Sequence, residues 1–232
     1  MSNLSVPERV LVIGGAGRTG RHVADRLRSR GATVSVLSRH PRALPEDTSA
    51  IISDITDPES VLKAVSEVDG AVIVVESALA EDATSNGPSS VHYAGTRHVV
   101  DAAQARGGHV VMVSQIYITR PEMLPEARGV IAARRRAEPE LRESGLPYTI
   151  VRPSWLTDDP GGQSAIRLEQ GDTGDGRVSR EDVAETVVQA LGHAEARGKT
   201  FELYAEPGTP PRDWASLFSG LSPDESPAAR EG

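Results

Sequence analysis

Gly14, Gly17 and Gly20 are spaced G-x-x-G-x-x-G within GGAGRTG, directly after the run Val10 to Ile13 and before a helical pattern carrying Val23, Ala24 and Leu27. That arrangement lets a backbone turn tightly off a strand, approach a pyrophosphate, and offer the anion the free N–H groups and positive end of a helix. Gly14, Gly17, Arg18, Thr19 and Gly20 are therefore the expected phosphate contacts. A dinucleotide bound there has its ribose near the end of the next strand, where an acidic side chain selects NAD. The chain offers Ser38, Arg39 and His40 instead. The Arg39 guanidinium can pair bidentately with a 2′-phosphate, and Arg18 points toward the same pocket, so NADP(H) is expected in preference to NAD(H).

A second group of polar residues, Ser114, Gln115 and Tyr117, follows the fifth predicted strand. Ligands of open α/β sheets bind at that carboxyl edge. Ser114 and Gln115 can hydrogen-bond an acceptor carbonyl, and Tyr117 is the best-placed phenol if a proton is needed, with packing as its alternative role. Glu76, after the apolar run AVIVV, reads as a solvated loop acid, or as a proton shuttle if desolvated. The histidines at 22, 40, 92, 98, 109 and 193 show no ligand spacing, so no metal is expected. His92 opens a helix near the pocket, His98 packs or caps, and Arg134 to Arg136 read as a solvated basic face.

The elements that must position these groups alternate. Short β-branched runs are expected as strands at 9–13, 33–37, 50–52, 71–75, 109–113, 148–151 and 200–204. Helices are expected at 19–30, 58–68, 89–106, 125–144 and 180–191. Alternation of this kind predicts an α/β fold, a Rossmann-type doubly wound parallel sheet. Gly31, Gly70, Gly107 and Gly145 sit where C-terminal caps are expected, and Asp57 with Pro58 reads as N-cap and first helical position. Pro139 is expected to kink or restart the helix at 125–144. One domain covers 1–205, with the Gly-, Asp- and Pro-rich stretch 152–178 forming a substrate cap. The Pro-rich tail 206–232 is expected to be partly disordered, with Trp214, Leu217 and Phe218 able to dock a short helix.

Composition limits the choices. Aromatics make up only 3% of 232 residues, so Val, Ile, Leu and Ala must fill the core. Thirty-three acids against 25 bases repel polyphosphate, and no basic stripe is present, so nucleic acid is not an expected partner. Without cysteine there are no disulfides and no thiol nucleophile. No apolar run reaches membrane-spanning length and MSNLSVPERV lacks a signal-peptide plan, so a cytoplasmic location without membrane partners is expected. A small-molecule substrate and a monomer or homodimer complete the expectations.

Several longer stretches resemble the atypical short-chain dehydrogenase/reductases, in the NAD(P)H-binding group with NmrA-like proteins and biliverdin/flavin reductases. They are VLVIGGAGRTGRHV, SDITDPES, YAGTRHVVDAAQARG, VVMVS, ESGLPYTIVRPSWLTD and VSREDVAETVVQAL, which together cover roughly 9 to 205. The resemblance implies adenine contacts from Asp54 and Ile55, ribose contacts near Val75 and Glu76, and Pro153, Ser154, Trp155 and Leu156 beside the nicotinamide. Trp155 is also expected to border the substrate.

The chain departs from the wider superfamily where proton transfer takes place. Many of those reductases use Tyr-x-x-x-Lys, but the residues four after Tyr93, Tyr117, Tyr148 and Tyr204 are Arg97, Pro121, Arg152 and Gly208. By alignment with the family, Val130 and Arg134 occupy the two positions, and Arg134 is expected beside the cofactor. Valine carries no proton, and arginine stays charged without a compact ammonium. Flavins, quinones and related conjugated carbonyl compounds keep negative charge after hydride arrival and can take a proton from water, so an NADPH-dependent reductase of such acceptors is expected. The alternative is a non-catalytic NmrA-like NADP(H) sensor acting through a protein partner.

Overall fold

Alternate residues of each central strand enter opposite cores. In the computed structural model, which describes residues 5–40, 44, 48–79 and 86–225, Val10 and Val12 face one layer while Leu11 and Ile13 face the other. Both faces of the sheet are thus covered, as a parallel sheet requires. The strands are β1 (Arg9–Ile13), β2 (Thr33–Ser38), β3 (Ser49–Ile52), β4 (Gly70–Ile73), β5 (His109–Val113), β6 (Tyr148–Pro153), β7 (Trp155–Thr157), β8 (Ala165–Glu169), β9 (Arg177–Ser179) and β10 (Lys199–Glu206). Eight of them form one sheet in the order β3-β2-β1-β4-β5-β6-β10-β8, parallel except for β8 against β10. The doubly wound expectation is met. Strand order reverses between β1 and β4, which opens a crevice at their carboxyl ends.

Helices α1 (Gly20–Ser29) and α5 (Arg180–Gly192) share one layer. The other holds α2 (Pro58–Ser66), α3 (Gly95–Gln104) and α4 (Arg128–Arg142). A short α6 (Trp214–Ser219) docks Trp214 and Phe218 into the first core. The expected disorder at the end of the tail concerns residues 226–232, which lie outside the described residues. Stretch 152–178 contributes the two-stranded pair β7-β9 beside the crevice, and β8 at the edge of the main sheet.

Local details follow the sequence with three corrections. Asp57 caps α2, accepting from Glu59 N and Ser60 N, and Gly31, Gly107 and Gly145 follow their helices with positive φ. Gly70 is no cap: α2 ends at Ser66 with Glu67 as its C-cap, Asp69 N donates to Arg9 O, and Gly70 opens β4. Pro139 does not break α4. It lies in the last turn, so the helix runs on only to Arg142 beyond it, and the one intrahelical bond it removes is that to Arg135 O. The helix expected from Ser89 begins as a π-helical segment, Ser89–Ala94, before α3, and such windings gather at functional sites. Among the described residues no helix is long and apolar enough to cross a membrane.

Candidate functional site

The glycine loop is made by backbone contact. Gly14 takes φ +84°, and a Cβ there would stand 2.3 Å from Val74 O; on Gly20 it would stand 2.2 Å from Gly14 O. Side chains are therefore excluded at both positions, and Gly20 serves to seat α1 against the loop. Gly17 N donates to Gly14 O at 2.9 Å. Thr19 caps α1 without a side-chain bond, and its first turn holds no acid, so the helix dipole is left for an outside anion.

A cleft of about 360 Å³ opens over this loop. Ser38 and Arg39 close its far end with Asp54 and Ile55, and Val74 to Glu76, Leu156 and Arg180 line the near end. Arg39 Nη1 donates to Asn86 Oδ1 at 3.0 Å, while its Nε lies 3.9 Å from Asp54 Oδ2. Asp54 Oδ1 accepts from Thr56 N, and Ile55 is fixed by its carbonyl, 3.1 Å from His98 Nδ1. His98 therefore packs and pins, as expected of it.

Past Val75 the cleft narrows into an inner pocket of about 80 Å³, bordered by Thr19, Ser114, Gln115, Arg134, Pro153, Ser154 and Leu156. The Ser114 and Ser154 hydroxyls are buried, with residue exposures of 4% each, and neither has a hydrogen-bond partner among the described residues. Ser114 does lie near the Glu138 carboxylate without reaching hydrogen-bonding geometry. Orphaned buried hydroxyls next to a glycine cradle are what a polar ligand would satisfy. The residues present therefore fit a dinucleotide whose nicotinamide end reaches this pocket.

Arg134 corrects the solvated-face reading of the basic run: Arg135 and Arg136 are exposed, but Arg134 is 6% exposed. Its Nη1 donates to Gln115 Oε1 (2.6 Å) and Ser114 O (3.3 Å), Nη2 to Val75 O (3.4 Å), and Nε to His92 Nδ1 (3.5 Å). Burial lowers its pKa from the ordinary value, opposed by Glu76 and Glu138. Glu76 Oε2 is 3.6 Å away on a side chain 81% exposed, a solvated acid as read from sequence. Burial first, then the charge of Arg134, holds His92 well below the usual imidazole range, so it stays neutral. Beneath the pocket Arg152 bridges Glu138 (2.6 Å) and Glu202 (2.9 Å). Burial alone would raise the Glu138 carboxyl, but the bonds and charges of Arg152, with Arg142, outweigh it and keep it below its ordinary value.

Tyr117 and Trp155 line neither the cleft nor the inner pocket. Tyr117, at φ +68°, donates its N–H to Asp172 Oδ1 (2.7 Å) and packs with Ile116, Ile118, Ile131 and Tyr204. Burial raises its phenol pKa, and Trp155 meets its ring edge-on at 6.2 Å. Asp172 Oδ2 also accepts from Thr119 N and Oγ1, so one buried carboxylate sets the loop after β5. Trp155, 46% exposed, borders a separate opening of about 540 Å³ with Asp175, Gly176 and Arg177, joined to the cleft through Leu156.

Arg180 and its partner Asp158 escaped the sequence reading. Arg180 opens α5, lines the cleft, and donates to Asp158 Oδ1 at 2.8 Å, while Arg18 lies 3.5 Å from Asp158 Oδ2. A cation in the first turn of a helix opposes the dipole, and that misplacement in VSREDVAE was the available signal. Among the described residues no group of three or more His, Asp or Glu side chains could hold a metal ion.

A family model described as NAD(P)H-binding matches residues 14–194. An uncharacterized chloroplastic protein of Arabidopsis thaliana is 31% identical over 249 residues, covering 93% of this chain and 76% of that protein. Sanguinarine reductase of Eschscholzia californica is 28% identical over 273 residues, covering 96% and 99%. A short-chain dehydrogenase/reductase of Veillonella parvula, solved in complex with NADP, superposes with a TM-score of 0.69 at 21% identity, covering 88% of this chain and 96% of that one. The chain, with its glycine cradle at a switch point of a parallel sheet, thus belongs to the NAD(P)H-binding family.

Proposed function

We propose that this protein is an NADPH-dependent reductase of conjugated acceptors, such as flavins, quinones or related carbonyl compounds, and that the matching proton comes from water. The observation that carries this reading is the lining of the inner pocket, which brings hydroxyls, an amide and a guanidinium together without a phenol or a lysine, its one carboxylate being the solvent-exposed Glu76. Bound NADPH would supply the hydride, and the chain supplies position and electrostatics. The glycine loop and α1 hold the diphosphate, Arg39 receives the 2′-phosphate, and Ser114 and Ser154 offer hydroxyls to the nicotinamide end. Val130, at the family's tyrosine position, is buried and carries no proton, and Tyr117 lies outside the pocket with its acidity weakened. A simple ketone would leave an alkoxide that needs a donor; a flavin or quinone would not. The exposed Trp155 ring offers a flat face to a conjugated acceptor. Sanguinarine reductase, similar along nearly the whole chain, is by name a reductase, which agrees with the class of reaction.

Anaerobic oxidation of NADPH, followed by absorbance with FMN, menadione or cyclohexanone and with NADH as the cofactor control, tests the reading. Turnover of FMN or menadione, preference for NADPH and no turnover of cyclohexanone are expected. Cyclohexanone turnover would require a hidden acid and overturn the proton assignment. NADPH binding without turnover of any acceptor would overturn the reductase and favour a cofactor-binding regulator.

A further inference from the structure

Every contact of Arg134 is with an acceptor, as it must be for a group with five N–H donors and no lone pair to offer. The shortest, 2.6 Å, goes to Gln115 Oε1. A guanidinium cannot receive a hydrogen bond, so the amide oxygen must face it and the NH₂ group must face away. Gln115 borders the inner pocket, and its Nε2 has no protein partner among the described residues. Arg134 is held in turn by two backbone carbonyls and neutral His92, with the solvated Glu76 carboxylate 3.6 Å away, and its own side chain is buried beneath the pocket.

We infer that Gln115 Nε2–H is the donor that receives the acceptor's carbonyl oxygen, and that Arg134 is the positioning residue that orients and polarises this amide. The inference rests on the reductase reading and gives it a charge-stabilising device. Hydride adds, with its electron pair, to the electrophilic carbon of the conjugated system, and the displaced π pair moves onto the carbonyl oxygen. Gln115 keeps its proton and hydrogen-bonds to the oxyanion, and water then protonates the reduced product. The donor is unionisable, so it works at any pH at which the protein is folded. Its benefit is greatest when charge sits on oxygen, so its loss lowers the maximal rate more than it weakens ground-state binding.

Single-turnover oxidation of bound NADPH by menadione, with NADPH affinity measured separately by fluorescence, tests the assignment. Gln115→Glu and Gln115→Met remove the donor at a partly exposed position; each is expected to slow the hydride step about 100-fold. NADPH Kd and the half-saturating menadione concentration should stay within about threefold of wild type. Arg134→Met should give a similar loss, and the double variant Arg134→Met/Gln115→Met should be no slower than the singles, because both act through one amide. Unchanged rates in the two Gln115 variants would overturn the inference, even if Arg134→Met does not fold. Multiplying losses in the double variant, or a tenfold weaker NADPH Kd in Arg134→Met with Gln115→Met silent, would make Arg134 a direct ligand and equally overturn it. Absence of wild-type turnover with menadione and FMN would reject the reductase reading and this inference with it, whereas wild-type turnover with indifferent Gln115 variants rejects the inference alone.

Discussion

The two ends of the cleft are built from different materials. At the phosphate end, seven consecutive residues make the site from backbone, and Cβ atoms at Gly14 and Gly20 are excluded by carbonyl oxygens at 2.3 and 2.2 Å. At the inner end, Ser114, Gln115, Arg134 and Ser154 come from three separate stretches of the chain, and the site is made by side chains held by other side chains. The first end has one solution, whereas the second can change its chemistry one residue at a time while the fold stays the same. A reductase without a tyrosine–lysine pair is one such change.

Breaking the backbone end should have the largest effect. Gly14→Ala meets both a strained φ and a backbone oxygen, so NADPH affinity should fall about 100-fold or more, with roughly 3 kcal/mol lost from stability. Fluorescence titration and denaturant melts measure both. Asp172→Ala strips three hydrogen bonds from the loop after β5, at a cost of roughly 3 kcal/mol. Its signature at the side-chain end should be a slower menadione reaction with NADPH Kd changed far less; a larger change in Kd than in rate would mean that the ends are not separable.

Acid should act on neither end in particular. His109, at the opposite edge of the sheet, lies between Leu191 O (3.3 Å) and Thr149 Oγ1 (3.0 Å), and burial lowers its pKa from 6.5 to about 4. The unfolded chain therefore binds a proton more readily than the folded one. This contribution, about 3 kcal/mol, is complete above pH 6.5 and is lost as pH falls toward 4. Melts across that range should show the fall, and His109→Gln should flatten it. The smallest effect sharpens cofactor choice: Arg39→Ala should cut the preference for NADPH over NADH about tenfold, read as a ratio of kcat/KM values.

What was legible in the sequence follows the same division. The sheet, the glycine loop and the caps at Asp57 and Gly31 depend on local backbone geometry, which neighbouring residues report. For Arg134 the two readings diverge: RRR by itself reads as a surface run, whereas the family resemblance puts Arg134 beside the cofactor, and the fold does turn it inward to border the inner pocket. Tyr117 looked well placed at the end of a strand, but its positive φ and Asp172, 55 residues away in the chain, aim it into a small apolar cluster. Val74 and Val75 read as strand, yet β4 ends at Ile73, with Val74 N making one further bond to Ile13 O before the chain turns along the cleft. Arg180 announced itself only as a cation misplaced in the first turn of a helix; its partner Asp158, 22 residues earlier, and the cleft beside it come from the tertiary fold.

The central claim is that hydride transfer here uses no ionisable protein acid. The most direct measurement is the single-turnover rate of NADPH oxidation by menadione from pH 6 to 9. With His92 held neutral, Gln115 unionisable and the Glu76 carboxylate turned to solvent beside Arg134, the rate should be flat across that range. A basic limb that disappears in Tyr117→Phe would contradict the account and restore the phenol as the acid.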